Sequence, residues 1–169
     1  MHPAVEKLVT DYRDKVGPRM STLPMYNPAL EVEAVDFELH VGRLCGVLVT
    51  PWFMNLVLLP GEDDDWSGVA PGKTFKVAFR AGDYHCMLSA PEGIPPHLSL
   101  PLFTTLKGFT DQDIARRVAR EVLQRLNRDT TDPTAADPVD TDLGRGRLQR
   151  PLSRRALLRS LLALKEGEE

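Results

Sequence analysis

Paired cysteines are missing from this 169-residue sequence, which contains Cys45 and Cys86 and no CxxC pair. Zinc ribbons and rubredoxin-type iron sites need such pairs, and disulfide scaffolds need more cysteine. His, Cys and Asp residues also form no cluster at metal-ligand spacing. We therefore expect no metal and no organic cofactor, and the scarcity of cysteine favours a reducing compartment.

The sequence also has no long apolar run. The longest one, residues 44–60, is interrupted by Thr50, Pro51 and Asn55, so it does not have the pattern of a membrane-spanning helix. The first residues run directly into charged positions, without the apolar centre of a signal peptide. Together these absences predict a cytoplasmic protein.

An excess of positive charge is absent too. The formal net charge is −3, which argues against nucleic acid as a partner. Hydrophobic residues make up 42% of the sequence, which is enough to build a core. The length fits one domain with some unstructured extension.

Two segments have the apolar periodicity of helices. The first lies near the N-terminus and is expected to stop at Gly17-Pro18, with Asp11 on its wet face. The second covers residues 110–127, where Thr110 is the predicted N-cap. Their predicted buried stripes are Val5, Leu8, Val9, Tyr12 and Val16 in the first helix, and Ile114, Ala115, Val118, Ala119, Val122, Leu123 and Leu126 in the second.

Between the helices, five or six segments have the character of strands. Residues 30–41 alternate close to period two, with Leu39 and Val41 on the apolar side. Residues 44–50 and 55–59 are apolar on both faces, which is typical of central or helix-covered strands. Residues 74–80, 83–89 and 98–106 complete the set. We predict a single α+β domain over residues 1–127, with a mostly antiparallel sheet covered on one face by both helices.

The composition changes after residue 127. Residues 128–143 are rich in Asp, Thr, Pro and Ala, which predicts a flexible linker. Residues 144–169 are rich in Arg and Leu, and their leucine spacing predicts a short amphipathic helix that starts near Ser153.

One run of residues carries a specific resemblance. Residues 44–60, read as LCGVLVTPWFMNLVLLP, closely resemble the signature of the HybE/HupJ/HoxT family of nickel–iron hydrogenase assembly chaperones. Supporting matches lie on both sides, so the similarity covers roughly residues 3–126. Many family members also carry a rubredoxin domain, whose cysteine pairs this sequence lacks. The supporting segments are Met20, Asn27-Pro28-Ala29-Leu30, Val32 to Phe37, Asp65-Trp66, Phe79, Ala81 to Tyr84, Ser99-Leu100 and Phe109 to Gln112.

The resemblance implies a chaperone that binds a hydrogenase subunit precursor and catalyses no reaction itself. The expected client is the small subunit with its twin-arginine export signal, while the large subunit and other maturation factors are further possible partners. Two rival readings stay open. One is a binding module for a membrane surface or another assembly factor, and the other is an enzyme that uses Cys45 or Cys86.

Two segments are candidates for client binding. Trp52, Phe53 and Met54 follow a Thr-Pro bend, where they form either a recognition surface or a core anchor at a strand corner. Glu62, Asp63, Asp64 and Asp65 precede Trp66 on a loop. Carboxylates can bind the two guanidinium groups of a twin-arginine signal, and an aromatic ring can pack against the leucines that follow the arginines. The alternative is an acidic loop that is only solvated, which is the more usual case.

The tail contains a third candidate. Ser153, Arg154, Arg155, Leu157 and Leu158 resemble the core of a twin-arginine export motif. The motif lies at the end of the sequence opposite to that of export signals, so we do not expect it to act as one. Two readings stay open: a mimic of the client's signal that contacts the core domain, and an amphipathic helix that contacts anionic lipid or an acidic surface.

Overall fold

The computed structural model describes residues 1–128. The predicted linker, apart from Arg128, and the predicted signal-mimic tail at Ser153, Arg154, Arg155, Leu157 and Leu158 lie outside the described residues.

Six strands form one antiparallel sheet, which confirms the predicted α+β class. The order across the sheet is β1-β2-β3-β6-β5-β4, so two three-stranded meanders meet where β3 pairs with β6. The strands are β1 Glu33–His40, β2 Arg43–Val49, β3 Met54–Leu58, β4 Thr74–Phe79, β5 Gly82–Ser89 and β6 His97–Phe103.

The two edge strands of the sheet, β1 and β4, meet through a side chain. Nε2 of His40 on β1 lies 2.8 Å from the carbonyl oxygen of Ala78 on β4. The His40 ring also stacks on Phe79, with 4.4 Å between ring centroids. The sheet is therefore curled far enough for its edges to touch at this point.

The helices lie on opposite faces of the sheet, so the prediction that both cover one face was wrong. Val47 and Val49 of β2 belong to a core cluster with helix α3, Gln112–Leu126. Leu48 belongs to a second cluster with Val5 and Leu8 of helix α1, Pro3–Asp11. Successive strand residues point to opposite faces. The two-sided apolar character of β2 therefore reflects two separate cores.

The N-terminal helix does not stop at Gly17-Pro18. After α1 the chain makes a π-helical turn, Tyr12–Val16, and continues into a short helix α2, Gly17–Met20. Proline is well accommodated in the first turn of a helix, where its missing N–H is not needed. Asp11 is not on a wet face either: it is buried and binds Lys7 at 2.5 Å and Lys15 at 2.9 Å.

Helix α3 begins one residue later than predicted. Asp111, rather than Thr110, is the N-cap, and its carboxylate accepts a hydrogen bond of 2.9 Å from the amide of Ile114. Arg116 of α3 pairs with Glu33 of β1 at 2.6 Å. At the other end of the helix, the Leu126 carbonyl accepts a hydrogen bond of 3.1 Å from the amide of Ala81. Helix α3 thus bridges β1 and the β4–β5 turn.

Candidate functional site

The acidic loop begins with a tight turn from Gly61 to Asp64. The amide of Asp64 donates to the carbonyl of Gly61 at 3.2 Å, and the amide of Gly61 donates to the Asp64 carboxylate at 2.9 Å. Glu62 and Asp63 are the two central residues of this turn, where both side chains are exposed. The turn therefore presents two adjacent carboxylates to solvent.

Asp64 holds this turn against β2. Arg43 donates to its two carboxylate oxygens at 2.6 and 2.7 Å, a bidentate geometry that favours the charged pair. The Arg43 guanidinium lowers the pKa of Asp64, and it also lies 5.5 Å from the ring centroid of Trp66. Trp66 is buried and packs against Phe75. Asp64 is therefore paired with Arg43 and Trp66 is buried, so neither side chain is open to a client.

The remaining acids differ from Asp64. Asp65 accepts hydrogen bonds from the amide of Ser67 at 3.1 Å and its hydroxyl at 2.6 Å, and these bonds lower the pKa of Asp65. Glu62 and Asp63 have no hydrogen-bonding or ionic partner within residues 1–128. Of the four predicted acidic residues, these two have carboxylates with no partner in this part of the chain. Asp65 is also exposed, and its bonds to Ser67 use one carboxylate oxygen and leave the other open to a cation.

The acidic turn lies beside the turn between β1 and β2. A Cβ added to Gly61 would come within 2.4 Å of the Gly42 carbonyl oxygen, so the two turns are in direct contact. Val41 and Gly42 form a two-residue hairpin loop with φ of 46° and 77°, the positive values of a type I′ turn. The two turns therefore form one continuous surface at this end of β1.

Two apolar side chains are exposed at this end of the sheet. Leu39 is 75% exposed and Val41 is 76% exposed, although their alternation with polar residues predicted a buried face. A β-bulge between Val35 and Glu38, with Asp36 at φ 47°, changes the pairing before the end of β1. We call Leu39, Val41, Glu62 and Asp63 the hairpin-tip surface.

The other predicted segment, residues 52–54, lies mainly in the core. Trp52 and Met54 are buried and Phe53 is partly buried. The Thr50 hydroxyl accepts hydrogen bonds from the amides of Trp52 at 3.3 Å and Phe53 at 2.9 Å, which fixes the bend between β2 and β3. Trp52 also stacks on Tyr26, with 6.2 Å between ring centroids. Phe53 is the member of the three with a partly accessible side chain.

Both cysteines are buried, free thiols on β2 and β5. Burial raises the pKa of Cys45 to about 12 and that of Cys86 to about 11. A reactive cysteine needs a lowered pKa and access to solvent. The surroundings of these thiols therefore disfavour nucleophilic chemistry.

A buried polar pair was missed by sequence reasoning. The Tyr12 hydroxyl lies 3.1 Å from Nε2 of His97, and Nδ1 of His97 lies 2.9 Å from the Pro95 carbonyl oxygen. Burial raises the pKa of Tyr12 to about 12 and lowers the pKa of His97. No short-range sequence pattern identifies this pair, because its members lie 85 positions apart.

Within residues 1–128, His, Cys, Asp and Glu side chains form no group of three or more that could hold a metal ion. No helix in the same part of the chain is long and apolar enough to cross a membrane.

A family model described as "[NiFe]-hydrogenase assembly, chaperone, HybE" matches residues 3–160. The chain belongs to this family. The match covers most of the sequence and extends beyond residue 126, where the resemblance read from the sequence ended.

Curated relatives agree with this family. A hydrogenase expression/formation protein HupJ from Bradyrhizobium diazoefficiens is 37% identical over 161 residues, which cover 95% of this chain and 89% of the relative. A probable rubredoxin HupJ from Rhodobacter capsulatus is 39% identical over 135 residues. That alignment covers 78% of this chain and 49% of the relative, so this chain matches about half the length of that protein.

A solved structure has the same fold. The solution structure of HybE from Escherichia coli superimposes with a TM-score of 0.60, covering 87% of this chain and 91% of that one. The two sequences are 19% identical across the match, so this comparison supports the fold alone.

Proposed function

We propose that this HybE-family chain is a cytoplasmic, non-catalytic chaperone that binds the precursor of a hydrogenase small subunit through its twin-arginine signal. Family membership supports a role in hydrogenase assembly. The observation that carries the finer proposal is the hairpin-tip surface. The turn with the free carboxylates of Glu62 and Asp63 contacts the hairpin loop at Gly42, next to exposed Val41 and three residues from exposed Leu39.

The chemistry of this surface matches that of the signal. Two guanidinium groups bind most strongly to carboxylates that have no other cationic partner. The apolar residues that follow the arginines of the signal need an apolar surface to pack against. Leu39 and Val41 provide such a surface on the turn and strand end that neighbour the acidic turn. Exposed ion pairs contribute only about 0.2–1 kcal/mol each, so the apolar contacts must supply part of the affinity.

The other predicted client-binding residues take supporting roles in this proposal. Asp64 and Trp66 hold the acidic turn through Arg43, while Trp52 and Met54 anchor the bend after β2. Phe53 remains a candidate contact, separate from the tip. A large-subunit precursor or another maturation factor would use other surfaces.

Titration with a labelled twin-arginine peptide tests the proposal. The double variant Glu62→Gln with Asp63→Asn should weaken binding and flatten its dependence on salt, because charge-assisted pairs are lost. Leu39→Ser should weaken binding without changing the salt dependence.

A charge-matched control is available. Glu6 and Glu31 are exposed, and their carboxylates have no partner within residues 1–128. Glu31 precedes the opposite end of β1, where its backbone bonds the Gln112 side chain. Glu6→Gln with Glu31→Gln removes the same charge away from the tip and should leave the affinity nearly unchanged. Equal weakening by both double variants would mean that net charge, rather than this surface, determines binding.

A further inference from the structure

We propose that residues 153–158 of this chain occupy its own hairpin-tip surface when no client is bound. The proposal rests on the proposed function for the identity of the competing client. The occupant is the chain's own Ser153-Arg154-Arg155-Ala156-Leu157-Leu158 segment.

The described part of the chain ends beside a cleft that Leu39 also lines. Helix α3 ends at Leu126, and Arg128 lines a cleft of about 610 Å³ whose other walls include Glu38, Leu39 and His40. The chain therefore leaves the described part of the protein beside one member of the hairpin-tip surface.

The tail and the acidic turn of the hairpin-tip surface carry opposite charges. Residues 144–169 contain seven Lys and Arg and three Glu, whereas the whole chain has a net charge of −3. Arg154 and Arg155 carry two guanidinium groups, and the tip presents the two free carboxylates of Glu62 and Asp63. Leu157 and Leu158 supply the apolar groups for Leu39 and Val41. The segment thus carries each group that the surface can bind.

A long connection joins Arg128 to the Ser153–Leu158 segment. Residues 129–152 separate Arg128 from Ser153, and 24 residues span at most about 80 Å when fully extended. A domain of this size has a radius of gyration of only about 14 Å, so the connection is long enough to reach the tip. A tethered ligand competes at an effective concentration that reaches about the millimolar range. The tethered segment would therefore compete with a client for the surface and lower the client's apparent affinity.

Photo-crosslinking of the full chain tests the contact directly. A benzophenone amino acid at position 39, which is exposed, should crosslink within the same molecule to residues 150–162 when no client is added. The crosslink should disappear in Arg154→Gln with Arg155→Gln. The same probe at Met87, which is 50% exposed on β5, serves as the control and should not capture this segment.

Affinity measurements test the competition. The full chain with Arg154→Gln and Arg155→Gln should bind a labelled twin-arginine peptide about tenfold or more tightly than the unchanged chain. Arg145→Gln with Arg147→Gln removes equal charge from the tail and should leave the affinity within about twofold.

The outcomes separate the two proposals. Absence of the position-39 crosslink overturns self-occupancy, whatever the peptide affinity, and so does an arginine-dependent association with anionic vesicles in its place. A position-39 crosslink together with no peptide binding by any variant would support self-occupancy and overturn the client proposal. Equal peptide affinities despite the crosslink would overturn the competition.

Discussion

The hydroxyl of Tyr12 donates a hydrogen bond of 3.1 Å to Nε2 of His97 and thereby joins the N-terminal helical segment to β6. The direction follows from the other ring nitrogen, because Nδ1 donates to the Pro95 carbonyl and leaves Nε2 as the acceptor. Both side chains are buried. The fold therefore holds His97 neutral at the interface between the N-terminal helical segment and the sheet.

This arrangement predicts a loss of stability in mild acid. Burial lowers the pKa of His97 below its ordinary value of 6.5, so the unfolded chain binds a proton first as the pH falls. The free energy of unfolding should be fully retained above pH 6.5 and should fall below it, down to the lowered pKa of the folded state. Denaturant unfolding of His97→Gln between pH 7.5 and 5 should show a flatter profile than the wild type.

Tyr12→Phe is the control for that experiment. It removes a hydrogen bond at a cost of about 1 kcal/mol but keeps the titrating imidazole, so its pH profile should keep its slope. A wild-type profile that is flat between pH 7 and 5 would contradict the account of His97.

The acidic loop predicts two different outcomes for neighbouring acids. Asp64→Asn breaks the partly buried pair with Arg43 and should reduce the free energy of unfolding by about 1–3 kcal/mol. Asp63→Asn should leave stability within about 0.5 kcal/mol and weaken peptide binding instead. Thermal unfolding and peptide titration of both variants check this. Equal losses of stability would show that Asp63 is also structural.

Much of this fold is visible in the sequence because local patterns and tertiary structure agree. The sequence predicts strands that are apolar on both faces at residues 44–50 and 55–59. These strands correspond to β2 and β3 in the structure. The sequence could not say that the two faces hold separate cores, since periodicity does not specify which helix covers which face.

The remaining errors have local physical causes. The helical path continues through Gly17-Pro18 because Pro18 lies in the first turn of α2, where its missing N–H is not needed. Leu39 is exposed because it lies near the end of an edge strand, beyond a bulge, and Val41 is exposed because it lies in the hairpin loop that follows. The sequence does not distinguish Glu62 and Asp63 from Asp64. The distinction depends on Arg43, which pairs with Asp64 in the structure and leaves the other two carboxylates unpartnered.

Close packing at Gly46 gives a prediction about the sheet. A Cβ added there would lie 2.3 Å from an atom of the Phe37 ring, so Gly46→Ala should destabilise the protein by about 1–3 kcal/mol. Gly68→Ala is the matched control, because its added Cβ meets no atom within 4 Å. Chemical denaturation of both variants is the measurement, and equal stability would contradict the packing.

The thiols should be dispensable for client binding. Cys45→Ala with Cys86→Ala should bind a twin-arginine peptide like the wild type, after allowance for a lower stability from lost packing. Thiol labelling of the native protein at pH 7.5 should be slow, since both pKa values are raised by burial. Rapid labelling, or loss of binding by a folded double variant, would favour a cysteine-dependent activity.

The central claim is that Glu62 and Asp63 bind the two arginines of a client's signal. A double-mutant cycle measures this most directly: Glu62→Gln with Asp63→Asn on the chaperone, and replacement of both arginines by glutamine on a small-subunit precursor. Affinities of all four combinations should give a coupling free energy of at least about 0.5 kcal/mol, which shrinks as salt is added. Additive effects, with no coupling at low salt, would contradict the claim.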